Sequence, residues 1–335
     1  MFVSETPEYV IDLNRPEEER WADVIVAEQP TASTLIQRAA ADIERVPKIC
    51  RWGFGKLYGM FGGLYQGEIK AWSVALGVTS GTATMLNCLY ELSHLPNPFG
   101  CTAGIRWLDD YGMIHVRTLD WPIDGMGTAT RLFCFRRGAR EFVSVGVPGQ
   151  VGILSGMLPG AYSVTINWAP PAAIPTFDFG PTFLLREVLE TCDTYAGAVE
   201  TLARTRLSTS AFFTVCGAKK GQACVVERVQ RAAAIRVIDG DVLVQANHHI
   251  ATDFAKNNQA ILKVPPDEEV FSLDGSMKRA NILHEALAAI GPHCEKEDAV
   301  SALNIPTVLN SQTCQKMLFC PTTGDFKVWR LVAGL

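Results

Sequence analysis

A chain of 335 residues, 48% apolar and only 19% charged, carries enough apolar surface for a full interior, which excludes a disordered protein. Its net charge of -5 argues against nucleic acid as a partner, since that would require a basic surplus or stripe. No apolar run is long enough for a transmembrane helix, and the opening Met1-Phe-Val-Ser-Glu5 has an acid where a secretory signal needs a base; the chain as given reads as cytoplasmic.

The first hundred residues read as mainly helical. Pro16 followed by Glu17, Glu18 and Glu19 sets up a helix start, with proline in the first turn and acids at the positive end of the dipole. An Ala-rich helix is expected over Ser33–Val46. Another is expected over Ser80–Leu92, where Thr82, Met85, Leu86, Leu89 and Tyr90 recur at helical spacing. Between them, Arg51–Tyr65 is rich in glycine and aromatics. It reads either as a segment packed under the core or as an amphipathic surface that touches lipid. Its Gly53-x-Gly55-x-x-x-Gly59 spacing misses the dinucleotide fingerprint, so no nucleotide cofactor is expected.

After residue 100 the pattern changes to short β-branched and aromatic runs between turns. Strands are expected at Arg131–Arg136, Glu141–Val147, Tyr162–Asn167, Ala211–Val215, Ala223–Val229, Ala232–Ile238 and Val242–Ala246, with helices at about 182–204 and 276–290. There is no regular βαβ alternation, so the expectation is an α+β fold of antiparallel sheets covered by helices rather than a parallel Rossmann sheet.

The change of character falls at Cys101. The turn-like stretch Asn97-Pro98-Phe99-Gly100 breaks the chain just before it, and Cys101–Trp107 and Met113–Arg117 then form a hairpin about Asp109–Gly112. Pairing of the hairpin's open ends brings Arg117 and Asp120 back beside Cys101. A thiol performs acyl transfer as the thiolate, so it needs a base and a field that lowers its pKa. Cleavage at Gly100–Cys101 would supply the base as the new α-amine, whose unperturbed pKa is roughly 8. Asp120 would hold that amine, Arg117 would face the thiolate, and Asn247, just beyond Val242–Ala246, would offer an amide to the oxyanion.

Each of these residues also has an ordinary reading: Arg117 and Asp120 as an ion pair at a strand end, Asn247 as a turn residue, Glu91 as an acid at a helix end, and His115 as a strand residue. The other nine cysteines form no CxxC pair and no zinc spacing, so they read as small buried thiols. His248 and His249 are adjacent, point different ways on a strand, and read as neither metal ligands nor a shared pair. No metal is expected.

Cys101-Thr102 with Arg117-Thr-Leu-Asp120-Trp and then Gln245-Ala-Asn247 resembles the acid ceramidase and N-acylethanolamine acid amidase branch of the N-terminal-nucleophile hydrolases. Bile salt hydrolases and penicillin V acylases are more distant relatives. The resemblance continues upstream in Tyr9-Val-Ile-Asp-Leu-Asn-Arg-Pro-Glu-Glu-Glu-Arg-Trp21, in Gly67-Glu-Ile-Lys70 and in Asn87-Cys-Leu-Tyr-Glu91. It implies a four-layer αββα sandwich, with Cys101 both cleaving the chain after Gly100 and acting afterwards as nucleophile. Fragments 1–100 and 101–335 would stay associated through a shared core. Arg117 and Asp120 would orient and tune Cys101, Asn247 would line the oxyanion hole, and Arg279 in Ser276-Met-Lys-Arg279 would match a later active-site arginine. The implied substrate is a small-molecule N-acyl amide with an apolar acyl chain. Three other readings stay open: a penicillin V or bile-salt acylase, a thiol enzyme using His248 or His249, and an acyl-ligand-binding protein that is never cut.

Overall fold

The computed structural model describes residues 1–44, 64–92, 100–121, 123–176, 178–263 and 271–332. Two sheets form its centre. One has six strands, all antiparallel, in the order β1 (Phe2–Val3), β14 (Asp325–Leu331), β13 (Thr313–Cys320), β4 (Gly112–Asp120), β3 (Gly100–Leu108), β12 (Val242–Gln245). The other has eight, in the order β11 (Ala233–Val237), β10 (Ala223–Arg228), β9 (Ala211–Gly217), β8 (Tyr162–Trp168), β7 (Ser155–Leu158), β6 (Arg140–Gly146), β5 (Arg131–Arg137), β2 (Glu8–Asp12); only the β2–β5 pair is parallel.

The helices are α1 (Ala22–Glu44), α2 (Gln66–Leu76), α3 (Ser80–Asn87), α4 (Leu89–Leu92), α5 (Pro181–Thr191), α6 (Tyr195–Arg204), α7 (Leu273–Ala289) and α8 (Lys296–Ala302). Helices α5 and α6 cover the eight-stranded sheet, and α7 and α8 cover the six-stranded one. The layers therefore run α, β, β, α, the sandwich expected from the resemblance.

Alternation along the hairpin explains how the layers share its side chains. Ile105 and Met113 enter a cluster between the sheets with Phe212 and Val225. Ile114 and Val116 point the other way, against Leu283, Leu287 and Val300 of α7 and α8. Gly104 lies under α7 because a side chain there would collide: a Cβ would stand 2.5 Å from Leu287 Cδ1. Both faces of the hairpin are thus covered, and every residue of β4 is buried.

The expected strands after residue 100 are all present with ends shifted by at most three residues, and the hairpin turns at Gly112 with φ +81. Four differences stand out. The N-terminal hundred residues are not wholly helical, because β1 and β2 join the two sheets. Helix α1 begins at Ala22 rather than Ser33, with Pro30 inside it. The expected Ser80–Leu92 helix is interrupted at Cys88, and the three acids after Pro16 form a 3-10 turn, Glu17–Glu19. Strands β7, β13 and β14 and helix α8 have no counterpart in the expected elements, whereas α2 contains the Gly67–Lys70 stretch that the resemblance places in a helix. Residues 51–63 of the glycine-rich segment, and Asn97-Pro98-Phe99 before Gly100, lie outside the described residues.

Residues 1–100 and 101–335 share one core. Trp21 and Trp72 pack in a single cluster with Phe133, Phe135 and Leu184. Glu28 on α1 pairs with Arg131 on β5 through two bonds of 2.6 and 2.7 Å. Asn87 reaches Gly149 O and the Val151 N–H. Tyr90 Oη donates towards Asn167 O and Ser210 O.

Candidate active site

Cys101 lies opposite Leu119 and two pairs away from Ala103–Arg117, so Cys101 and Arg117 share the face of the hairpin that looks into the second sheet. The Arg117 guanidinium is completely buried. Its Nη2 donates to Cys101 Sγ at 3.2 Å and to Ile166 O, and its Nη1 donates to Leu154 O at 2.8 Å and to Ser155 Oγ. The cation is thus clamped by β7, β8 and the segment before them, and aimed at sulfur.

Asp120 is opposite Gly100 and faces the other way, towards α7. Residues three apart on a strand cannot share a face, so the expectation that both Arg117 and Asp120 stand beside the thiol holds in space for Arg117 alone. Asp120 reaches the site from across the backbone. Its Oδ2 would be 3.0 Å from a Cβ at Gly100, and its Oδ1 accepts from Thr313 Oγ1 at 2.7 Å. Oδ2 has no donor at hydrogen-bond geometry among the described residues.

Asn247 follows β12 and closes the site from the sheet edge. Its Oδ1 accepts from the Cys101 backbone N–H at 2.9 Å and from Arg279 Nη2 at 2.7 Å, and its Nδ2 donates to Trp168 O at 2.9 Å. The two partners of Oδ1 are donors and the partner of Nδ2 is an acceptor, which fixes the amide orientation. In this uncut chain Asn247 therefore turns its oxygen, not its N–H groups, to Cys101; one Nδ2 hydrogen is left over. Arg279, buried on α7, also donates from Nε to Thr102 Oγ1 at 3.1 Å. All five expected residues converge on one spot.

The electrostatics follow from burial and these neighbours. Burial pushes the Cys101 thiol up, the Arg117 cation opposes it, Asp120 adds to it, and the Trp168 backbone N–H draws it down; the net direction is upward. Burial likewise raises the Asp120 carboxyl above the usual carboxylate range, against the Arg279 charge and the Thr313 bond. His115 lies between the sheets, bonded to Ser163 Oγ at 3.0 Å and Thr165 Oγ1 at 3.3 Å, and burial pushes it down to about 3, so it stays neutral.

His248 Nδ1 meets Ser276 Oγ at 2.8 Å, and burial lowers its pKa to about 4. His249 turns the opposite way, to Glu227 at 3.3 Å. Neither hydrogen-bonds the Cys101 sulfur, and no cluster of three metal-ligating side chains occurs among the described residues. Glu91 is buried rather than a surface acid, and burial raises it to about 7.

Three supporting residues escaped the sequence reading. Ser276 accepts the Asn247 backbone N–H at 2.8 Å; it stands three residues before Arg279, a spacing that puts both on one helix face and could have marked it. Thr313, on the far strand β13, and Ser155, on β7, carry no local signal.

An apolar cleft opens among α1, α2, α3 and the segment after β4. Leu35, Trp72, Leu86, Leu89, Trp121 and Ile123 are among its walls. Trp121 follows Asp120 directly and belongs to the same buried cluster as Cys101.

The model of the family described as acyl-coenzyme A:6-aminopenicillanic acid acyl-transferase matches residues 107–286, more than half the chain, a span that includes Arg117, Asp120, Asn247 and Arg279. The N-acylethanolamine-hydrolyzing acid amidase of Caenorhabditis elegans is 25% identical over 242 residues, 68% of this chain and 68% of that protein. Acid ceramidases are similar to the same degree. The Heterocephalus glaber protein is 25% identical over 67% of this chain and 64% of its own length, and the human one 26% over 66% and 63%. The chain thus spans a little under two thirds of the ceramidases it matches. Among solved structures, the C. elegans amidase ortholog superposes with a TM-score of 0.57 at 22% identity, covering 69% of this chain and all of that one. A mutant conjugated bile acid hydrolase from Clostridium perfringens superposes at 0.50 and 10% identity, covering 68% and 88%. The chain belongs to the acyl-coenzyme A:6-aminopenicillanic acid acyl-transferase family, in the N-terminal-nucleophile hydrolase branch of acid ceramidase and N-acylethanolamine acid amidase.

Proposed function

We propose that the protein hydrolyses the amide bond of N-acyl amides with a fatty or otherwise apolar acyl chain, through Cys101 made N-terminal by self-cleavage after Gly100. The observation that carries this reading is the double hold on Cys101, its sulfur by Arg117 and its backbone N–H by Asn247. A structural cysteine needs neither.

In the cut, Cys101 Sγ adds to the Gly100 carbonyl carbon. The Gly100–Cys101 C–N bond breaks as its nitrogen takes a proton, and water hydrolyses the resulting thioester. The products are a Gly100 carboxylate and a cysteine with a free thiol and α-amine. Asp120 Oδ2, lying against Gly100 without a donor, is a ready partner for the ammonium form of that amine.

In turnover the amine takes the thiol proton as sulfur adds to the substrate carbonyl. The oxyanion is received by the remaining Asn247 N–H and by backbone N–H groups. The proton passes to the leaving amine, a thioester forms, and water releases the acid. The apolar cleft that has Trp121 in its wall suits an acyl chain.

Intact mass with N-terminal sequencing, beside a Cys101→Ala control, tests the cut: fragments 1–100 and 101–335 are expected in the parent alone. A panel of N-acylethanolamines, ceramides, N-acyl amino acids, conjugated bile salts and penicillin V tests the substrate. Turnover of only the last two overturns the lipid-like acyl assignment. An uncut parent that binds acyl ligands and hydrolyses none overturns the enzyme.

A further inference from the structure

Asn247 must meet Cys101, Arg279 and Trp168 at once, yet it follows a four-residue strand, β12, that among the described residues ends its sheet beside β3. Ser276 on α7 and Asn258 hold part of the loop, and a further anchor reaches it from the other sheet. Glu227 on β10 is completely buried, and its two carboxylate oxygens accept the backbone N–H groups of Ile250 and Ala251 at 3.1–3.3 Å. The same carboxylate stands 3.3 Å from His249 Nδ1, and His249 Nε2 faces Pro170 O at 3.4 Å.

Arg236 on β11 lies 3.7 Å from Glu227. It donates to Gln245 Oε1 at 2.6 Å and Val244 O at 3.0 Å, and Gln245 Nε2 passes the chain on to His248 O at 2.8 Å. The backbone is therefore fastened on both sides of Asn247: at Val244 and Gln245 before it, and at His248 to Ala251 after it.

We propose that Glu227, with Arg236 and Gln245, is a positioning unit that sets the Asn247 amide against Cys101. Glu227 is then a positioning residue for the reaction, and the inference rests on the amidase reading of Cys101. A carboxylate suits the task because both oxygens accept. A glutamine would turn an NH2 donor against two N–H donors and leave one unsatisfied.

The test uses the full chain, and begins with Cys101→Ala. If that variant keeps turnover, the amidase reading falls and the positioning role falls with it. With turnover lost there, Glu227→Gln is compared with Glu28→Gln, which breaks a buried ion pair of α1 and β5 and is matched to it by loss of Tm. In Glu227→Gln, kcat is expected to fall about 10- to 100-fold with KM within about threefold, the scale on which a displacement of about 1 Å acts. In Glu28→Gln, kcat stays within about threefold of the parent. Parental kcat in Glu227→Gln, or the same kcat loss in both variants, overturns the positioning role and leaves the amidase reading standing. Should Glu227→Gln fail to fold, Arg236→Met removes the bonds to Gln245 and Val244 and the charge beside Glu227, and leaves the Glu227 bonds to Ile250 and Ala251 in place. It is expected to lower kcat about three- to tenfold at constant KM, and an unchanged kcat overturns the proposal.

Discussion

Replacing Glu68 with glutamine attacks the ion cluster that joins the two halves of the chain. Glu68, on α2, is completely buried, and its two oxygens accept from Arg186 Nη1 at 2.6 Å, Arg186 Nη2 at 2.7 Å, Arg20 Nη1 at 2.9 Å and Trp21 Nε1. A glutamine offers one acceptor to these four donors. Removing one partner of a buried ion pair costs about 3–5 kcal/mol. Arg186 keeps Glu190 at 2.8 Å, Val151 O at 3.0 Å and the Tyr65 ring at 4.0 Å, so the lower figure applies, about 3 kcal/mol. At about 2.1 cal/mol/K per residue the chain's unfolding entropy is about 0.7 kcal/mol/K, so Tm should drop by about 4 °C. The assay is a thermal scan of the uncut Cys101→Ala chain with and without Glu68→Gln. A shift below about 1 °C would mean that Arg186 needs no counter-charge beyond Glu190, and the reasoning fails. The sign with pH is a second check. Burial raises the Glu68 pKa, but the Arg186 charge and the bonds from Arg186, Trp21 and Arg20 outweigh it, so the folded value lies below the unfolded one. The contribution is therefore full above about pH 4.3 and fades as pH falls through the folded value. The gap between parent and variant should close in acid; a widening gap contradicts the assignment.

Arg117→Lys replaces a fork that reaches sulfur and three oxygens by a single ammonium, and should cut self-cleavage and turnover by about 100-fold, read by gel densitometry and acid release. Asp120→Asn in the uncut Cys101→Ala chain tests the raised carboxyl. The contribution of Asp120 to stability is present below its unfolded pKa of about 3.9 and lost as pH rises through the raised folded value, so urea midpoints of the Asn variant should gain on the parent across that rise; the opposite trend refutes it. His248→Ala should keep turnover within about fivefold, because His248 bonds Ser276 and not the thiol; a loss of about 100-fold or more would restore the cysteine–histidine reading.

How much of this was legible beforehand depends on sequence separation. The hairpin is local, and the turn at Gly112 with its alternating strands was readable, down to Arg117 standing near Cys101. The hairpin pattern places Asp120 near Cys101 but not on a face, because proximity in a hairpin does not say which face a residue takes; the register Gly100–Asp120 does. Strand β7 hid because Ser155-Gly-Met-Leu158 lacks β-branched residues. Strand β13 hid because, buried on both faces, Thr313-Cys-Gln-Lys-Met-Leu-Phe-Cys320 shows no alternation. Thr313 and Glu227 act across 193 and 22 residues of sequence, with partners that only the folded sheets bring near.

The opposite facing of Arg117 and Asp120 has a consequence for the proposed cut. Before it, Cys101 sits in a balance in which burial and Asp120 raise its thiol pKa while Arg117 and the Trp168 N–H lower it. The bond from the Cys101 nitrogen to Asn247 Oδ1 needs only an N–H, which the peptide and the released amine both supply, so that anchor survives the cut. What changes is charge. In its ammonium form the new amine sets a cation against Asp120, weakening the negative charge that raises the thiol, while Arg117 on the other face is untouched. The thiol pKa should therefore be lower in the cut enzyme than in the uncut chain. Iodoacetamide alkylation of Cys101 against pH, on freshly made uncut protein and on the processed form, reads the difference by peptide mass. An alkylation midpoint at lower pH after the cut is expected. An equal or higher one would mean that Asp120 does not take up the amine, and its place against Gly100 would then be a matter of packing alone.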